Sequence, residues 1–288
     1  MILSCLARRL QAFLLLLPLA VPAPAPAADP PPADGQALIE KAVAAFGGAA
    51  AVDAVTGLEL RARGTRRVQA DDLPVTTLTR YHFPDRYYQE LALPMGTLKT
   101  VLGPKSAFIV AGEGAMPLPE GERQSILKLM QRNVLAVLRA RRQPGFRAQV
   151  VGADTVEGAK VQLVRVTRGT DVVTLGIEPV TGEVRQTRFD SAGGATTTGT
   201  LVVTYSDYRP AGTLLRLRYP YRSIGVMSGT PAFSQMVEAV IVNPKVEAQL
   251  FEAPPPHAMF PGVEDLPLSP PPTLLPRPGA SPSTPPRE

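Results

Sequence analysis

Apolar and polar residues follow two rhythms along this chain. From Gln36 to Phe46, the residues Leu38, Ile39, Ala42, Val43 and Phe46 recur at helical spacing on one face. Asp34 suits the N-cap of that helix and Gly47-Gly48 its stop, with a short helical turn expected from Ala50 to Val55. At Leu58 the rhythm changes to period two. Leu58, Leu60, Ala62 and Gly64 alternate with Glu59, Arg61 and Arg63, so one face of a strand turns inward. Thr76 to Phe83 and Arg86 to Leu93 form a hairpin candidate around Pro84-Asp85. Thr97 to Leu102 and Ala107 to Ala111 read as shorter strands.

Glu120 to Arg142 returns to helical spacing as one long helix. Ile126, Leu127, Met130, Val134, Val137 and Leu138 form a wide apolar stripe. Glu120 and Glu122 at its start and Arg139, Arg141 and Arg142 at its end suit the helix dipole. After Pro144-Gly145 the chain is again β: Phe146 to Asp154, Ala159 to Arg168, Asp171 to Pro179, Glu183 to Asp190, Thr197 to Tyr208, Leu214 to Tyr221 and Phe233 to Val242 have strand composition. Gly169-Thr170 and Thr181-Gly182 are turn-like breaks that favour antiparallel neighbours. The expected fold class is α+β: one large, curved antiparallel sheet whose apolar concave face is covered by the two helices.

The ends of the chain differ from this middle. Arg8 and Arg9, the apolar run Gln11 to Val21 and the small residues Ala25-Pro26-Ala27 have the three-part layout of a secretory signal peptide. Residues 1–28 are therefore expected to be removed on export to the periplasm, and 29–35 form a flexible lead-in. The apolar run is too short for a comfortable membrane span, and Cys5 precedes it, so neither stable membrane insertion nor a lipid anchor is expected. The folded domain is assigned to 36–260, and 261–288 to a Pro-rich tail expected to be disordered. Cys5 is the only cysteine, so the mature chain relies on its packed core rather than on disulfides. Net charge falls from +5 to +3 with the loss of Arg8 and Arg9. The basic residues are scattered rather than gathered in a stripe, which argues against nucleic acid as a partner.

Several segments resemble a known family. Leu38-Ile39-Glu40-Lys41, Ala44-Ala45-Phe46-Gly47-Gly48, Val55-Thr56-Gly57-Leu58 and Gly64 look like the opening of bacterial outer-membrane lipoprotein carrier-like (LolA/LolB-like) proteins. Val156-Glu157-Gly158 through Ile177-Glu178-Pro179-Val180-Thr181-Gly182 resembles that family's paired strands and Thr-Gly turn. Tyr205-Ser206-Asp207-Tyr208-Arg209, Val242-Asn243-Pro244, Leu250-Phe251 and Pro254 resemble its close. The resemblance implies an unclosed barrel of about eleven strands with helices as a lid or plug over an apolar cavity. It also implies binding of a lipoprotein acyl chain or another apolar ligand in the periplasm. The carriers' lid-latching arginine has four candidates here, Arg61, Arg63, Arg66 and Arg67, and no local motif selects one.

Candidate chemistry is sparse. His82 lies in a strand and His257 in the Pro-rich exit; with no HExxH, no paired histidines and no mature cysteine, no metal site is expected. There is no G-x-S-x-G, Gly112-Glu113-Gly114 and Gly193-Gly194 read as loops, and Asp71-Asp72 reads as an inter-strand loop. The expectation is a protein that is not an enzyme and needs no cofactor. The candidate ligand-binding residues are instead apolar: Phe83, Tyr88, Phe108, Met130, Val134 and Met227, with Met130 as a plug and Gly225-Val226-Met227-Ser228-Gly229 as a mobile rim. The alternative is an envelope scaffold that docks a protein partner through a sheet edge or the Pro-rich tail.

Overall fold

The computed structural model describes residues 34–68, 70–112, 114–192, 198–212 and 216–252. The signal peptide, the Pro-rich tail, Cys5, Gly193-Gly194 and His257 lie outside the described residues, as does most of the lead-in.

Two short helices open the described chain. In α1 (Gly35–Ala45), the Asp34 side chain accepts a hydrogen bond from the Gln36 amide, as an N-cap should. Leu38, Ile39, Ala42 and Val43 form its buried face. Gly47 and Gly48, with φ of 113° and 93°, turn the chain into α2 (Ala49–Asp53).

The thirteen strands among the described residues all belong to one antiparallel sheet. The first meander runs β1 (Gly57–Val68), β2 (Asp71–His82), β3 (Arg86–Leu93), β4 (Gly96–Leu102), β5 (Ala107–Ala111) and β6 (Gly114–Pro117). The second runs β7 (Arg147–Val156), β8 (Ala159–Arg168), β9 (Asp171–Ile177), β10 (Val184–Ala192), β11 (Thr198–Pro210), β12 (Arg218–Met227) and β13 (Thr230–Val242). β13 pairs with β1 and joins the meanders, which leaves β6 and β7 as the two edges of an unclosed sheet.

That order dictates where the remaining helices go. The chain must pass from edge β6 to edge β7, and α3 (Glu120–Gln131) and α4 (Val134–Arg139) form the connection. Thirteen strands laid flat would span about 60 Å. The helical path from Glu120 through the 3₁₀ turn Ala140–Arg142 covers only about 35 Å. The connection bends between α3 and α4, so it spans less than this contour, and α4 packs against one face of the curved sheet.

The main core lies between the helices and one face of the sheet. Leu58, Leu60 and Ala62 of β1, Leu102 of β4, Val164 and Val166 of β8 and Leu175 of β9 meet Leu38, Val43, Leu135 and Leu138 there. Alternation sends neighbouring residues to the outer face. A smaller cluster there joins Tyr88, Val101 and Phe108 to Phe251, carried by the terminal 3₁₀ turn Ala248–Phe251.

Four expectations change. Glu120 to Arg142 is two helices, because the Asn133 side chain accepts from the Leu135 amide and caps a new helix. Asp71-Asp72 belongs to β2 rather than to a loop, with Asp72 paired to Arg67 across the hairpin. The strands number thirteen rather than about eleven, β6 being too short to show an alternation. Gly225 to Met227 is the end of β12, followed by a tight turn, and not a loose rim. Gly225 is needed because the Phe233 ring lies 2.1 Å from where its Cβ would sit.

Candidate functional site

The two helices of the connector are embedded to different depths. Every apolar residue of α4, from Val134 to Leu138, is buried. In α3 only Met130 is buried; Ile126 and Leu127 are half-buried and Leu129 is 47% exposed. The connector is thus a plug, α4, with a lighter cover, α3, hinged at Arg132-Asn133.

Charged side chains fasten both ends of the plug. At the hinge, Arg132 Nε donates to Asp171 Oδ1 at 2.7 Å, and its Nη1 donates to the Asp190 carbonyl at 2.6 Å. Arg168 Nη2 donates to the other Asp171 oxygen at 2.9 Å and to the Gln131 carbonyl at 2.8 Å. The Arg132 guanidinium also lies over the Phe189 ring, 5.0 Å from its centre. At the far end Arg141, its side chain wholly buried, donates to both Asp53 oxygens at 2.5 and 2.8 Å and to the Leu138 carbonyl at 3.2 Å. The Asp53 carboxyl is held below its ordinary value by that hydrogen bond. Arg139 stands over Phe83 at 4.9 Å, and burial lowers its pKa.

The sheet beneath α4 is not wholly apolar. Tyr219 is buried there, and Tyr81 and Tyr205 are half-buried against the same core. Asn133 Nδ2 lies 3.4 Å from the Tyr219 hydroxyl, and Tyr205 and Thr187 hydroxyls are 3.1 Å apart. Burial raises the pKa of all three phenols. Tyr208, edge-on to Phe46, donates to the Val184 carbonyl at 2.6 Å.

The six residues singled out in the sequence do not come together. Phe83, Met130 and Val134 belong to the main core, and Met227 packs against it. Tyr88 and Phe108 are on the outer face, with Val101 and Phe251. Leu102, Met130, Leu135 and Leu138 are completely buried side chains of the main core beneath the helices. Two shallow cavities of about 360 and 340 Å³ open on the outer face, around Glu90, Thr97, Lys99, Arg61 and Glu238. Of the four arginine candidates, Arg61, Arg63 and Arg67 are outer-face residues paired with Glu59, Glu238 and Asp72. Arg66 lies opposite Leu73 of β2 and Phe233 of β13. His82 lies edge-on to Phe251, and among the described residues no cluster of acidic, histidine or cysteine side chains could hold a metal. No helix among the described residues is long and apolar enough to cross a membrane.

What sequence reasoning missed is the latch of Arg132, Asp171 and Arg168, the cap Asn133 and the three phenols. A single clue was visible: asparagine is a poor residue for a helix interior and a good one for a cap.

No family model and no curated protein match the chain. Among solved structures it is similar to a DUF1329 family protein from Desulfovibrio piger, at 8% identity and a TM-score of 0.48, covering 76% of this chain and 97% of that one. A LolA superfamily protein from Nitrosomonas europaea is similar at 11% identity and a TM-score of 0.46, covering 76% and 98%. A putative outer membrane lipoprotein-sorting protein domain from Vibrio parahaemolyticus is similar at 8% identity and a TM-score of 0.45, covering 75% and 95%.

Proposed function

We propose that this chain is a non-catalytic carrier or sensor of the periplasm that shields an acyl chain, of a lipoprotein or another lipid, between its curved sheet and the α3–α4 connector. The observation that supports it is the uneven seating of that connector. α4 fills the hollow with five consecutive apolar residues, while α3 is held by one buried side chain and a hinge-side ion pair. An apolar plug already matched to the hollow can be exchanged for a ligand of the same character. Each ligand methylene that replaces it recovers about 0.8 kcal/mol of the burial lost when the plug withdraws.

Opening also parts Arg132, Arg168 and Asp171 at the hinge. Their side chains are 13%, 16% and 10% exposed, so the parted charges gain water as the connector moves out. No step needs a nucleophile, a metal or a cofactor.

Native mass spectrometry of the protein purified from a bacterial host tests the reading, together with titration against a fluorescent fatty acid. Co-purified lipid and saturable micromolar binding are the expected results. A protein that is lipid-free from several hosts and does not bind the probe would refute it.

A further inference from the structure

We propose that Arg139, at the tethered end of the plug, receives the anionic head, a carboxylate or a phosphate, of a single-chain amphiphile whose hydrocarbon lies in the hollow. This rests on the carrier reading and names the class of ligand.

The arginines of the connector are paired with one exception. Arg123 meets Glu120, Arg132 meets Asp171, and Arg141 and Arg142 converge on Asp53. Among the described residues Arg139 has no carboxylate within ion-pair distance, and its buried Nε has no hydrogen-bond partner. Arg141 and Arg188 also bury an unbonded Nε, but each makes an ion pair through another nitrogen. Asp53 acts on Arg139 only through space, because Arg141 already takes its two oxygens at 2.5 and 2.8 Å.

A half-buried cation without a counter-ion is unfavourable, and burial lowers the Arg139 pKa accordingly. What stands against it is the Phe83 ring, 4.9 Å from the guanidinium. The ring attracts the charge but offers no oxygen to the N–H donors. A carboxylate or phosphate does, because its oxygens match the guanidinium fork. The position suits an amphiphile as well. Phe83 belongs to the main core and stacks on Tyr81 at 6.0 Å, so the half-buried Arg139 stands where that core meets water. Two residues on, the wholly buried Arg141 side chain is bonded to Asp53 of α2. This end of the connector therefore stays in place when the hinge end at Arg132 opens. A chain can then lie in the vacated hollow with its head at Arg139, whereas a neutral lipid leaves the cation as it was.

The test compares a fatty acid with the fatty alcohol of equal chain length at neutral pH, each displacing an uncharged fluorescent lipid probe from the full-length mature protein. Wild type is expected to prefer the acid by about tenfold, the value of one hydrogen-bonded charge. Arg139→Met keeps an apolar stem over Phe83, and is expected to abolish the preference while leaving alcohol affinity unchanged. Arg139→Lys, the milder change should the methionine variant not fold, keeps the charge without the fork and is expected to reduce the preference about threefold. Arg142→Met, at the exposed neighbour, should keep it. Acetate and inorganic phosphate carry the charge without the chain and are expected not to displace the probe. Displacement by either at the fatty acid's concentration would make this a site for free anions and overturn the amphiphile. Equal wild-type affinity for acid and alcohol, or a preference that survives Arg139→Met, overturns the role of Arg139 and leaves the carrier reading standing. Failure of acid, alcohol and probe to bind overturns the carrier reading itself.

Discussion

Arg132 and Asp171 meet at 2.7 Å where the connector bends, joining the hinge between α3 and α4 to the first residue of β9. Asp171 also receives Arg168, so one largely buried carboxylate neutralises two guanidinium groups. Removing it leaves both cations poorly solvated. Asp171→Asn is expected to cost about 3 kcal/mol in denaturant unfolding, the lower end for breaking a buried pair. The loss should be local as well. Amide exchange in residues 120–133 is expected to accelerate more than in α1, and uptake of a fatty-acid probe should become faster. Uniform acceleration across the sheet would show that the triad is a general structural contact rather than a latch.

Acid should loosen the fold through Glu59. Its side chain is 5% exposed; burial pushes its pKa up, but hydrogen bonds from Arg80 and Arg61 outweigh burial and hold it below the ordinary 4.5. A carboxyl with a lowered folded pKa contributes stability that is fully present above the unfolded value. That contribution is lost as pH falls through the folded value. Stability is therefore expected to hold as pH falls to about 5 and to drop below 4.5. Glu59→Gln should be less stable than wild type at pH 7, and the two curves should converge at low pH. Parallel curves throughout would remove Glu59 from the acid response.

The tie between the ends of the domain rests on Asn243. Its side-chain oxygen accepts from the Thr56 amide at 2.7 Å and the Gly57 amide at 3.2 Å, and its amide donates to the Ala54 carbonyl at 2.9 Å. Its φ is 52°, a conformation asparagine tolerates better than most side chains. With the Thr56 hydroxyl, which donates to the same oxygen at 3.2 Å, Asn243→Ala loses four bonds and adds backbone strain, for an expected cost of about 3 kcal/mol in thermal or chemical unfolding. Asn243→Asp keeps the three acceptor bonds and should lose about 1 kcal/mol. Asn243→Gly, which relieves the strain but not the lost bonds, should fall between them.

Much of the fold was legible because its signals are local. Period two marks one buried face of a strand, and the Asp34 cap and the Gly47-Gly48 stop bound α1 where expected. The break at Asn133 was hidden because the apolar stripe continues across it from Met130 to Val134, and only the cap geometry separates the two helices. The site was far less legible. Arg168 and Asp171 flank the Gly169-Thr170 turn, but Arg132 reaches them only through the packing of the connector on the sheet, which no periodicity encodes. Gly225, read as freedom to move, is instead a place where the Phe233 ring excludes any side chain. Tyr87 and Tyr88 show the limit most plainly. Both are buried aromatic residues of one strand, and alternation sends the first into the main core and the second to the outer face.

That separation of faces makes a prediction for the apolar residues themselves. Phe108 and Tyr88 support Phe251 on the outer side of the sheet, whereas Met130 is the one buried side chain of α3. Phe108→Ala and Phe251→Ala should each destabilise the protein by about 3 kcal/mol through the cavity they leave. Neither should change affinity for a fatty-acid probe at a temperature where the variant is folded. Met130→Ala should cost a similar amount, about 2–3 kcal/mol, but here affinity must change with stability. A smaller residue loosens the cover and leaves room beneath it, so the probe should bind faster, and its dissociation constant should shift by several fold. Equal binding by the Met130 variant and wild type, with Phe108→Ala impaired, would place the ligand on the outer face, in the shallow cavities around Glu90 and Thr97.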